Sequence, residues 1–170
     1  FWVTFACDLA RPGLERLAVD FATIEDGLAY DGGAFLSPEL LRRFLAPAYR
    51  RITDFLHGRG VGVVFLNSGG SLSPFVGDLL AAGIGGIPHV AVQAGVDIVA
   101  LKQEYGPELR LIGGIDRRAL LAGGAAIDQA IERALPAVEV GGTIPCLDGS
   151  VMYGTPLRSY LHYAQRLARH

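Results

Sequence analysis

Two adjacent carboxylates, Glu25 and Asp26, follow the short apolar run Asp20–Ile24. Like charges held together in a cleft raise the pKa of one partner, which creates a group able to exchange protons. The competing reading is a solvated loop, or a hydrogen bond to the helix start at Ser37. A second cluster, Asn67-Ser68-Gly69-Gly70-Ser71, offers an amide, hydroxyls and open backbone. It looks like a phosphate cradle ahead of a helix opened by Ser73-Pro74, but it lacks the P-loop lysine and the GxGxxG spacing. A third, Gly113-Gly114-Ile115-Asp116-Arg117, pairs an acid suited to capping a helix with an arginine suited to gripping a carboxylate in a bidentate way. The last loop carries Cys146, Asp148 and Ser150. Strand alternation sends Cys146 and Asp148 to one side. A lone thiol makes no zinc site, and burial is the simpler role for it. His89, after Pro88, is the histidine placed at a strand end; His57, His162 and His170 read as surface positions on helices. Tyr30 can hydrogen-bond a ligand or pack half-buried.

Composition limits what such groups can serve. The chain has 170 residues, 51% hydrophobic and 19% charged, with 23 glycines and a net charge of −2. So apolar a chain is not intrinsically disordered, and so balanced a charge argues against nucleic acid and anionic membrane as partners. The long uncharged stretches Gly60–Gly77 and Leu79–Val96 are broken by Gly and Pro, so neither reads as a membrane span. Phe1–Ala6 lacks the basic segment and apolar length of a signal peptide. Two cysteines form no CxxC and no disulfide framework, so a reducing cytoplasm is the expected compartment.

Strand, glycine-rich turn and helix repeat along the chain. The predicted strands are Asp20–Ile24, Val61–Leu66, Ile84–Val92, Leu109–Ile112 and Thr143–Cys146. A loop, EDGLAYDGGAFL, follows the first, and Ser37-Pro38-Glu39 opens a helix to about Leu56 that Pro47 should kink or split. Helices are predicted from Ser73 to Gly83, over Val96–Tyr105, Arg117–Leu121 and Ala125–Val138, and after a Thr155-Pro156 cap. Five βα units argue for a parallel sheet covered by helices, either doubly wound or a (β/α)₈ barrel. In both, chemistry sits at the carboxyl ends of the strands, here Glu25-Asp26, Asn67–Ser71, Pro88–Gln93, Gly113–Arg117 and Cys146–Ser150.

The runs IEDGLAYDGGAFLSPELLRRFLAPAYRRI, VQAGVDIVALKQEYG, LIGGIDRRALLAGG and GGTIPCLDGSV, in this order and spacing, resemble the uroporphyrinogen decarboxylase superfamily. The resemblance runs from about Phe1 to His170, with GGID-Arg117-Arg118 as its most specific part. It implies an α/β fold of the TIM (β/α)₈-barrel type, here a partial barrel of about five βα units. One domain, 1–170, is expected to form its carboxyl-terminal part. A full barrel takes about 250 residues, so these 170 are expected to fold doubtfully alone and to lack decarboxylase activity.

The resemblance implies two chemistries. Decarboxylases remove carboxylate arms from a tetrapyrrole without any cofactor. Corrinoid-dependent methyltransferase relatives use zinc on a His-x-Cys pair and a later Cys; those positions fall here on Asn67-Ser68-Gly69-Gly70 and on Asp148, so no metal is expected. A third set, of unassigned activity, has Asp-x-Asp-Gly and Asp-His-x-Val-Pro in these loops. This chain departs from it at Asn67, Gly69, Gly149 and Met152, and has Ala91 where relatives often show an acid. The expected substrate is a small molecule, tetrapyrrole-like or otherwise carboxylate-bearing. Asp26, Asp148 and Asn67 are the expected catalytic groups. Glu25, Tyr30, Ser68, Gly69 and Gly70 are expected to contact substrate, as are His89, Gly113, Gly114, Asp116, Arg117 and Ser150. Homo-oligomerisation and a degenerate, non-catalytic binding role stay open at this point.

Overall fold

The computed structural model describes residues 1–30 and 32–170, so Asp31 of the first loop is outside the described residues. The chain divides into two compact units, Phe1–Ile87 and Pro88–His170.

The first unit begins with a helix that the pattern reading did not anticipate, α1 (Trp2–Leu14), with Pro12 in its last turn. It packs on the long helix further on, where the Arg11 guanidinium lies 5.2 Å from the Phe55 ring centre. Strand β1 (Phe21–Glu25) follows. Its residues are apolar in the main, yet they alternate in exposure, and Phe21 is 59% exposed. The reason is its place at the end of the sheet, with a single neighbouring strand. The next loop also differs from expectation: it folds as an antiparallel hairpin, β2 (Ala29–Tyr30) with β3 (Gly33–Ala34).

Ser37 caps the next helix as its sequence requires, its Oγ accepting from Leu40 N at 3.2 Å. The short α2 (Pro38–Leu40) runs into a π-turn, Leu41–Leu45, and then α3 (Ala46–His57). Pro47 lacks the amide hydrogen a continuous helix would use, and the widened turn just before it absorbs the defect. Strand β4 (Val63–Asn67) is buried along its centre, as its β-branched run predicts. It pairs in parallel with β1, Phe21 against Val63 through to Glu25 against Asn67. A 3-10 turn, Ser73–Phe75, leads into α4 (Val76–Ala81). Leu56, Val61 and Val64 form a core under β1 and α3. Thr53, fully buried, closes α3 onto the end of α4, with Oγ1 2.7 Å from Ala82 O. Strand β5 (Gly86–Val90) begins here, Gly86 beside Phe65 of β4.

The second unit takes up β5 and continues with α5 (Ile98–Tyr105). Asp97 caps α5, accepting from Val99 N at 2.9 Å and Ala100 N at 3.1 Å. Then come β6 (Arg110–Ile115), α6 (Ala119–Ala122), α7 (Gly124–Glu139), β7 (Thr143–Leu147) and α8 (Leu157–Leu167). The five long strands follow the order β1-β4-β5-β6-β7, and β6 and β7 pair in parallel. The fold is a mixed α/β one with a five-stranded parallel sheet, as the alternation predicted. At the far end of the sheet Ile144 is 62% exposed. Two details differ from the sequence reading. Gly113 and Gly114 belong to β6 and not to a turn after it, because they pair with Pro145 and Cys146 of β7. Thr155 does not cap α8; its hydroxyl is buried without a partner among the described residues.

Lys102 on α5 is only 1% exposed, and its Nζ donates to Leu109 O at 2.7 Å. Burial, helped by the nearby Arg110 charge, pushes its pKa below 10.5. The unfolded chain then binds a proton that the folded chain has given up, so stability rises with pH in the window that ends at 10.5. Above pH 10 the trend reverses, because burial holds the folded pKa of Tyr49 and Tyr163 above 10 while the unfolded tyrosines ionise. Urea midpoints measured from pH 7 to 10 should therefore climb, and Lys102→Met should flatten the climb. An equal slope in both proteins would refute this account of Lys102.

Candidate functional site

In the first unit the site grows out of the β1–β4 register. Glu25 and Asn67 are direct neighbours at the carboxyl ends of the two strands. Their side chains therefore emerge together, and Asn67 Nδ2 donates to Glu25 Oε2 at 2.7 Å. Asp26 turns elsewhere and accepts from Tyr49 Oη at 2.6 Å. The adjacent acids thus do not lean on each other; each has its own donor. Burial first, and then the bonded Asp26 carboxylate, hold the Tyr49 hydroxyl well above its ordinary pKa, so it remains a proton donor to Asp26. Tyr49 was missed in the sequence. Its signal was the apolar spacing Tyr49, Thr53, Leu56, three buried positions on one face of α3.

Ser68, Gly69 and Gly70 are engaged by the protein's own hairpin. Ser68 Oγ accepts from Leu28 N at 2.9 Å and Ala29 N at 3.2 Å. A Cβ at Gly69 would lie 3.1 Å from Ala29 O, and one at Gly70 would overlap the Tyr30 backbone. The cradle-like sequence is therefore a seat for β2. Tyr30 is exposed and stacks on Phe35 at 4.9 Å between ring centres.

In the second unit Asp148 stands one residue beyond β7, and its N–H bonds Ile115 O at 2.8 Å. It is 9% exposed. Its Oδ1 accepts from Arg117 N at 3.0 Å, while Oδ2 is buried with no partner among the described residues. Arg117 Nε is likewise buried and unpaired. The Arg117 guanidinium lies over Gly149, where a Cβ would come 2.6 Å from one terminal nitrogen. Asp116 is committed locally: its carboxylate takes Arg118 N at 2.9 Å and Arg118 Nη2 at 2.7 Å, which holds its pKa below the usual carboxylate range. It stiffens the turn before α6, close to the capping role expected of it. Gly114 makes room for Ile98, and a side chain there would collide with it. His89 and Ser150 are exposed.

Cys146 is half-buried, and burial together with the Asp148 charge pushes its thiol pKa up. Tyr163, missed in the sequence, is pushed up to about 12 by burial and the neighbouring Cys146. Among the described residues no three of His, Cys, Asp and Glu gather into a metal-binding group, and no helix is long and apolar enough to cross a membrane.

Glu25, Asp26 and Asn67 in the first unit, and Asp148 and Arg117 in the second, stand at or just beyond the ends of strands of a partial TIM-barrel-like α/β fold, the end that such folds use for chemistry. The family model for uroporphyrinogen decarboxylase (URO-D) matches residues 17–163, and the chain belongs to that family. No curated protein matches it. Among solved structures it is similar to a methyltransferase from Methanosarcina mazei, with a TM-score of 0.63 and 21% identity over 88% of this chain, a likeness of fold. The chain spans 42% of the length of that structure.

Proposed function

We propose that the protein is a uroporphyrinogen decarboxylase-like lyase, which releases CO₂ from carboxylate side chains of a tetrapyrrole-like substrate without a cofactor. The observation that carries this reading is Asp148: a buried strand-end carboxylate with one oxygen fixed by a backbone amide and the other uncommitted. A carboxyl group so placed suits proton transfer, because its position is set by the backbone and its second oxygen has no hydrogen-bond partner among the described residues. In the reaction, a proton added to a pyrrole ring makes an electron sink. The bond to the carboxylate breaks, its electron pair flows into the ring and CO₂ leaves. A second proton goes to the exocyclic carbon, and the ring returns its own. Asp148 and the Tyr49-bonded Asp26 are the proton-handling groups. Asn67 orients substrate, and the unpaired Arg117 Nε marks that guanidinium as a partner for a substrate carboxylate.

Methyl transfer is the second reading, favoured by the name of the structural neighbour. The zinc donor set of such enzymes does not fit here. Asn67-Ser68-Gly69-Gly70 offers no imidazole or thiol, and burial with the Asp148 charge keeps Cys146 protonated. The test is anaerobic incubation of uroporphyrinogen with the protein at its natural length, following CO₂ release and loss of carboxylates from the product. Turnover above the heat-inactivated control is expected. None with uroporphyrinogen, together with methyl transfer from a corrinoid donor, would overturn the reading.

A further inference from the structure

Two helices of the second unit begin without a side-chain cap. Helix α7 has Gly123 at its N-cap and α8 has Pro156, and neither residue can offer a side-chain acceptor. The first amides of both helices are therefore donors in search of an acceptor, and each helix adds the positive end of its dipole. Both starts line one open cleft of about 430 Å³. Gly123 and Gly124 contribute one wall, Pro156 and Arg158 the other. Ser159, also in the lining, is 5% exposed, and its hydroxyl has no hydrogen-bond partner among the described residues. Arg158 makes no ion pair among the described residues, so its charge is uncommitted. His162, at the rim, is held by Asp128 at 3.0 Å, and that acid is also matched by Arg166 at 3.3 Å. No acid lines the cleft.

We propose that this cleft binds an anion of the phosphate class, as free phosphate or as the phosphate group of a small molecule. The donors that would hold it are the first amides of α7 and α8, the Ser159 hydroxyl and the Arg158 guanidinium. None of these residues belongs to the strand-end site, so the proposal stands or fails apart from the decarboxylase reading. A tetrahedral oxyanion suits donors arriving from two helix starts and a side chain, which a planar carboxylate would use less completely.

The test is a titration of the protein with inorganic phosphate at constant ionic strength, read by thermal unfolding and by ³¹P line broadening. Wild-type protein should gain Tm with phosphate in a saturable way, while potassium chloride at matched ionic strength should give none. Arg158→Gln and Ser159→Ala should each weaken phosphate at least about tenfold, which is about 1.4 kcal/mol. Both are expected to keep the wild-type Tm without phosphate, because Arg158 is exposed and alanine fits the serine site. A phosphomonoester such as glycerol phosphate binding more tightly than free phosphate would assign the site to a phosphorylated small molecule; the reverse order would assign it to the free ion. No saturable Tm gain, or a gain equal in both variants, would overturn the proposal.

Discussion

Asp148→Asn is expected to lower uroporphyrinogen turnover by about 10²–10⁴-fold, the usual worth of a positioned general acid or base. The substitution keeps the shape of the side chain. An Asn carbonyl oxygen can still accept from Arg117 N, the bond that now measures 3.0 Å, so the turn before α6 should survive. What changes is the other position. The uncommitted oxygen becomes an amide nitrogen that cannot take or give the proton a reaction requires. The kcat should fall with little change in KM. Circular dichroism should be unchanged. Turnover within a factor of a few of wild type would remove Asp148 from the chemistry and leave Asp26 as the remaining proton-handling candidate.

Gly70→Ala should be the most damaging single methyl in the first unit. Gly70 has φ +68°, where a Cβ costs about 1–2 kcal/mol. That methyl would also overlap the Tyr30 peptide, which has no free end to swing away. The loss expected from the two terms together is at least about 3 kcal/mol, in the range that marks a steric conflict with backbone. The comparison that isolates the second term is Gly60→Ala. Gly60 has φ +85° but open space where a Cβ would sit, so it should lose the conformational term alone. Urea unfolding followed by circular dichroism measures both. Equal losses at the two positions would mean that the β2 backbone does not press on residue 70.

Much of this architecture was legible because the chain announces it with period and punctuation. β4 is a β-branched run ending in a polar residue, α2 has its Ser37-Pro38 start, and β1, β4 and β7 each meet a glycine two residues beyond their ends. The β2–β3 hairpin was not legible. Two-residue strands carry no periodic signal, and their glycines read as a loop. Helix α1 was hidden too, since Pro12 argues against a helix unless it falls in the last turn. In the site, the positions of Glu25, Asp26, Asn67 and Asp148 at strand ends followed from element boundaries alone. Their partners did not. That Asp26 answers to Tyr49, 23 residues away, depends on how α3 lies against β1, which no local pattern encodes. The glycines misled for the same reason. Gly70 and Gly114 looked like room left for a ligand, yet that room is filled by Tyr30 and Ile98.

The contact between Arg117 and Gly149 has a consequence for how the family's sequences should be compared. Gly149 departs from the Asp-His-x-Val-Pro pattern of the sequence resemblance, and the missing imidazole looks at first like a simple loss. Here that space already has a tenant, the guanidinium from the neighbouring strand's loop. Residues 117 and 149 thus share one space, which the arginine fills and the glycine leaves open to it. A histidine restored at 149 alone would evict the arginine, whose Nε is buried, and would be recorded as damage.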